Sequence, residues 1–186
     1  MMKSPSRLQA DSEPLFLDTS VVINLVASGR IAEFASAIAR PLCIEEQVMR
    51  EMKRDPRDGA DGVLLMRRLT GEGILRLCVM NDAQLERFVD LVGAPSPDDL
   101  GDGEAATLAV GLPGGCVAID EKKARRIAAR DHAEVKVYCS LDLICSHEVT
   151  EALGDRGVAD CVAAALKLGR MRVLPQWREY LGALGL

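Results

Sequence analysis

The chain has 186 residues, 48% of them hydrophobic and 3% aromatic, with a formal net charge of −5 and a sequence pI near 5.2. That length suits one well-buried domain rather than two, and the scarcity of aromatics leaves Leu, Val, Ile and Ala to fill the core, a mixture suited to helices packed on a buried parallel sheet. The acidic balance excludes a polycation that attracts nucleic acid through its global field, so such a partner has to be held by a local basic patch or through metal ions.

In chain order, "MMKSPSRLQADSE" reads as a flexible leader over residues 1–13, ahead of a single domain over 14–186. "PLFLD" supplies a first apolar strand, "SVVINLVASG" a helix that stops at Gly29, and "IAEFASAIAR" a second helix that ends before Pro41. A short strand near Leu42 and Cys43 precedes "IEEQVMREMKRD", a helix with Ile44, Val48 and Met52 on one face and Glu51 beside it. Residues around 60–69 read as helix, "GILRLCVM" as strand, "NDAQLERFVDLV" as a capped amphipathic helix and "GAPSPDDLGDG" as a loop of turn formers. "EAATLAVGL" is a small-residue helix, "GGCVAID" a buried strand, "EKKARRIAARD" a basic helix and "VKVY" a further strand. "SLDLICSHEV", "VADCVAAALKLG" and "PQWREYLGAL" close the chain as helices. The alternation predicts an α/β fold, with a right-handed parallel sheet of about four to five strands flanked by helices on both faces.

No apolar run approaches the ~20 residues a membrane span needs, and the leader lacks the apolar stretch of a signal peptide, so the expected location is cytoplasmic with no membrane partner. The six cysteines are scattered singly, with no CxxC pair, which suits reduced core thiols better than a disulfide framework. Cys139, Cys145 and His147 are conceivable zinc ligands, but their spacing matches no familiar site.

The chemistry lies in the acids. Asp18 and Asp120 each follow a short apolar run and precede a helix, so each is open to two readings: helix N-cap, or ligand group at the carboxyl end of a strand in an open α/β sheet. Glu104 stands in the first turn of its helix, where the dipole favours a carboxylate in any case. Glu51, flanked by Arg50, Met52 and Lys53, reads equally as an exposed helical glutamate, and Glu46 on the same helix is a second candidate. Four carboxylates drawn together repel unless hard divalent cations neutralise them, and oxygen ligands suit Mg²⁺ or Mn²⁺. On the basic helix Lys122, Arg126 and Arg130 recur at i, i+4 and i+8 with Lys123 beside them, a face able to hold phosphates or simply to be solvated.

"FLDTS", "VMREM", "GDGEAATLA" and "AIDEKKARRIA" in this order, with "SGRIAEF" after the first helix, resemble the PIN-domain nucleases, and closest is the toxin-like branch with a Gly-Glu before an alanine-rich helix. The resemblance covers roughly residues 14–147. By position it implies Asp18, Glu51, Glu104 and Asp120 as the catalytic, metal-holding acids for Mg²⁺ or Mn²⁺, with Thr19, Ser20, Asn24 and Glu121 in support and Lys122, Lys123, Arg126 and Arg130 toward nucleic acid. It implies an endoribonuclease with an RNA substrate, a small antitoxin protein as partner and a homodimer. Where relatives commonly show Gly-Thr-Leu-Gly this chain has "CSLDL", which leaves Asp142 either as an added acid near the pocket or as the cap of its own helix. The competing expectations are a PIN-like module that binds RNA or assembles without hydrolysis, and a haloacid-dehalogenase-type phosphatase. The latter normally needs a second Asp where Ser20 stands, and a phosphoacceptor receiver domain needs an acidic pair that "LDTS" lacks.

Overall fold

Five short strands, β1 (Leu15–Leu17), β2 (Leu42–Glu45), β3 (Arg76–Cys78), β4 (Cys116–Ala118) and β5 (Lys136–Tyr138), pair in parallel in the order β3-β2-β1-β4-β5. The structure is a computed structural model and describes residues 4–8, 12–113 and 115–186. Leu15 pairs with Leu42 on one side and Cys116 on the other, so β1 is central and fully apolar, as a strand covered on both faces requires. Side chains alternate across the sheet. Leu15, Leu17, Leu42, Ile44 and Ala118 enter the larger core cluster, whereas Phe16, Val117 and Val137 turn to the smaller one around Leu108 and Ile127.

The helices are α1 (Thr19–Ala27), α2 (Ile31–Ala37), α3 (Glu46–Glu51), α4 (Gly62–Gly71), α5 (Asp82–Val92), α6 (Asp102–Gly111), α7 (Lys122–Asp131), α8 (Ser140–Ile144), α9 (His147–Ala164) and α10 (Arg178–Ala183). Caps set many of the boundaries. Asp18 accepts from the Ser20 N–H at the start of α1, and Asn81 and Gln84 form a full capping box on α5, the helix expected to be capped. Gly154 (φ 68°, ψ 166°) kinks α9, dividing the two closing helices that the sequence separates near that point. Beyond α9 a π-helical turn, Ala165–Gly169, packs on α1, and Gly169 meets Asn24 so closely that a Cβ there would come within 3.2 Å of the Asn24 Cα.

Two expectations are corrected. The helix through "IEEQVMREMKRD" is only α3, ending at Glu51, because residues 52–62 form their own hydrogen-bonded turn: Arg54 bridges Asp61 and the Gly62 N–H donates to the Lys53 carbonyl at 3.2 Å. Part of the expected leader is docked. Ser4 and Ser6 hydroxyls donate to the carbonyls of Cys145 and Asp142, both at 2.6 Å, and the Arg7 N–H to the Asp142 carboxylate at 3.1 Å. Residues 1–3 and 9–11 of that leader, and Gly114 at the start of the expected "GGCVAID" strand, lie outside the described residues. Among the described residues no helix is long and apolar enough to cross a membrane.

The chain winds from β1 outward to β3, then returns to place β4 on the other side of β1. That reversal makes the β1/β4 seam the switch point of the sheet, where helices leave to opposite sides and a crevice opens at the strands' carboxyl ends. Asp18 immediately follows β1, and Asp120 lies just past β4.

Candidate functional site

Asp18 is almost inaccessible, 1% exposed, and its amide donates to the Ala118 carbonyl at 3.0 Å, which locks the end of β1 to β4. Its carboxylate accepts from the Ser20 hydroxyl at 2.5 Å and the Ser20 N–H at 3.3 Å. The two readings of Asp18 therefore coexist, since one side chain is both the cap of α1 and the acid at the strand end. Burial raises its pKa to about 7; the Ser20 hydroxyl opposes that, and the Glu104 charge adds to it.

Glu51 is held from two sides. The Thr19 hydroxyl donates to its Oε2 at 2.5 Å, and the Gly103 N–H donates to its Oε1 at 2.9 Å. Gly103 is required here for room: a Cβ would collide with the Glu51 carboxylate and stand 2.7 Å from the Thr19 hydroxyl. Glu104, next in the chain at the start of α6, has its pKa raised by burial and then by the charges of Glu51 and Glu121. Glu121 caps α7, accepting from the Lys123 N–H at 3.3 Å. Glu104 thus repels both Asp18 and Glu51, while Thr19, the neighbour of Asp18, holds Glu51.

Asp120 is reached differently. Its Oδ2 accepts from the Asn24 amide at 2.7 Å and the Ser140 hydroxyl at 2.5 Å, while its Oδ1 accepts from the Ser140 N–H at 2.8 Å. Asn24 also donates to the Ser140 hydroxyl at 3.0 Å. Asn24 therefore steadies the acid of β4, although it lies one turn beyond Ser20 on the helix that Asp18 caps. Ser140 is the contributor that sequence reasoning missed. Its signal is the hydroxyl of "CSLDL", two residues after β5 ends at Tyr138 and two residues before the more conspicuous acid Asp142.

That acid, Asp142, does not join the site. It is buried, accepts from the Cys139 N–H at 3.0 Å and thiol at 3.1 Å in a capping box, and takes the Arg7 N–H on its other oxygen. Of its two readings, the cap is what the structure shows. The zinc reading also fails, because Cys145 is wholly buried whereas His147 is exposed and pairs with Glu151 at 3.4 Å. Glu46 points outward to Arg50 at 2.8 Å.

The basic face of α7 is present but largely occupied. Arg126 and Arg130 reach Asp98 at 3.0 and 2.8 Å, Lys123 reaches Asp99 at 3.4 Å, and Arg130 also pairs with Asp131. Lys122 alone of the four has no acidic partner among the described residues.

The donor set tests well against a hard divalent cation in one respect and less well in another. All four acids present oxygen, and among the described residues none is salt-bridged to Lys or Arg, which leaves a buried carboxylate beside like charge without a counter-ion. Yet no three His, Cys, Asp or Glu side chains among the described residues are disposed around a single ion position. Hydrogen bonds from Ser20, from Thr19 and the Gly103 N–H, and from Asn24 and Ser140 fix the orientation of Asp18, Glu51 and Asp120 respectively.

A family model described as a PIN domain matches residues 15–169, which take in β1 through the π-helical turn after α9. Comparison with curated proteins and with solved structures yields no match.

Proposed function

This chain belongs to the PIN-domain family, and on that premise we propose that it is an endoribonuclease that hydrolyses RNA phosphodiesters with Mg²⁺ or Mn²⁺ held by Asp18, Glu51, Glu104 and Asp120. PIN domains are nuclease-type folds that generally use divalent metals. The observation that carries the reading is the rim at the β1/β4 switch point, where oriented acids, one of them buried beside like charge, form no salt bridge with Lys or Arg among the described residues.

Divalent ions bound there supply charge neutralisation and a water acidified enough to attack phosphorus in line. The chain's own part is orientation. Ser20 fixes the Asp18 carboxylate, Thr19 and the Gly103 N–H fix Glu51, and Asn24 with Ser140 fixes Asp120. Lys122 and the cations of α7 receive the phosphate backbone of RNA. The toxin-like resemblance extends the reading to a small antitoxin partner and a homodimer. One observation favours the alternative of a non-catalytic RNA-binding module, namely that no three acid side chains stand around one ion position among the described residues.

Cleavage of single-stranded RNA by the purified chain separates the two. Mg²⁺- or Mn²⁺-dependent cleavage, stopped by EDTA and reduced about 100-fold or more in a folded Asp120→Asn variant, is expected, because Asn removes a charged ligand while keeping the side chain's shape. Equal cleavage by wild type and variant, or binding without cleavage in the presence of metal, overturns the enzyme reading.

A further inference from the structure

α8 has five residues, too few to persist as an isolated helix, so its ends have to be fixed from outside. Its last carbonyls are the weak point. The Ser146 N–H turns to the Leu143 carbonyl at 3.2 Å, and no backbone N–H among the described residues donates to the carbonyls of Asp142 or Cys145. The leader supplies the missing donors, the Ser6 hydroxyl to Asp142 and the Ser4 hydroxyl to Cys145, both at 2.6 Å. The same hydroxyls accept from the Leu8 N–H at 3.2 Å and the Ser6 N–H at 3.1 Å, which folds the segment on itself, and Leu8 packs half-buried against the larger core cluster. Arg7 reaches the other end of the helix. Its N–H donates to Asp142 Oδ1 at 3.1 Å while Oδ2 accepts from the Cys139 N–H at 3.0 Å, and its guanidinium donates to the Val137 carbonyl of edge strand β5 at 3.1 Å. The residue after Cys139 is Ser140, which holds Asp120 through its N–H at 2.8 Å and its hydroxyl at 2.5 Å.

We propose that Ser4, Ser6 and Arg7 are positioning residues for Asp120: residues 4–8 form a strap that clamps both ends of α8 and so keeps the Ser140 donors on the Asp120 carboxylate. The proposal rests on the proposed function only in taking Asp120 as a metal ligand. Without the strap, the Asp142 and Cys145 carbonyls turn to water, and Asp142 loses the donor on its Oδ1. The short helix then frays from both ends. Ser140 moves with it, and Asp120 is left with the Asn24 amide as its support among the described residues. The strap therefore acts on the rim through α8, with no contact to any of the four acids.

The full-length variant Ser4→Ala/Ser6→Ala/Arg7→Ala tests this by amide hydrogen exchange and by Mn²⁺ binding, neither of which needs turnover. Exchange of the Ser140 amide and of the other α8 amides should rise about tenfold or more, while the amides of β1 and β4 exchange as in wild type. That contrast separates release of the strap from a general loss of stability. Mn²⁺ should bind the folded variant several-fold more weakly. Ser4→Thr/Ser6→Thr/Arg7→Lys, which keeps both hydroxyls and the cation, should stay near wild type in both measurements. Unchanged α8 exchange overturns the proposal, and so does faster α8 exchange with Mn²⁺ affinity intact or with β1 and β4 accelerated equally. Wild-type protein that binds no Mn²⁺ overturns the proposed function instead, and exchange of the Ser140 amide then still decides whether the strap holds Ser140 in place.

Discussion

Asp18 shows how one residue serves the fold and the site at once. Its backbone ties β1 to β4, its carboxylate caps α1, and burial lifts its pKa to about 7 from an ordinary 3.8. Between about pH 4 and 7 the folded chain retains a proton that the unfolded chain has lost, so this group makes stability fall as pH rises through that window, and the loss is complete above the folded pKa. Glu104, also raised, acts in the same direction. In EDTA, urea unfolding of the wild type should show that decline, and Asp18→Asn, which cannot ionise, should flatten it and gain on the order of a few kcal/mol relative to wild type above pH 7. A parallel pH profile for both proteins would contradict the assignment. At this scale the four acids and Ser20 stand out in the sequence because each sits in a short motif at an element boundary. Asn24 stood among the supporting residues without an assigned acid, and Ser140 was not among them: the Asn24–Asp120–Ser140 bonds join residues far apart in sequence, and no local pattern records them.

Elements read well where local chemistry sets their limits and poorly where tertiary contacts do. The Asn81 box of α5 and the Gly154 break lie in the sequence itself, whereas α3 stops at Glu51 because the turn over residues 52–62 recruits its next residues. The same distinction governs α7. Its basic spacing was plain, but its pairing with Asp98 and Asp99 depends on how the loop before α6 lies against it. Exposed ion pairs of this kind are weak, so phosphates can displace them, at the cost of first removing two local negative charges. Replacing Asp98 and Asp99 with Asn should therefore tighten single-stranded RNA binding and steepen its log–log salt dependence by roughly one unit for each cation that gains a phosphate contact. An unchanged slope would mean that this face of α7 does not meet RNA.

For the molecule as a whole, alternating strands and helices were enough to give a parallel sheet covered on both faces, because buried parallel strands read as continuous apolar runs. The strand order was not legible in that alternation. It is the order β3-β2-β1-β4-β5 that brings the ends of β1 and β4 side by side, with α6 delivering Glu104 and the Gly103 N–H from a distant part of the chain. The proposed function requires that acids of this rim hold a divalent metal. Anomalous diffraction from crystals grown with Mn²⁺ tests it most directly. The expected result is a peak at the carboxyl ends of β1 and β4, within about 2.5 Å of an Asp18 carboxylate oxygen and bordered by Glu104 or Asp120, that disappears in Asp18→Asn. Mn²⁺ found only at surface acids such as Glu46, with none at the rim, would contradict it.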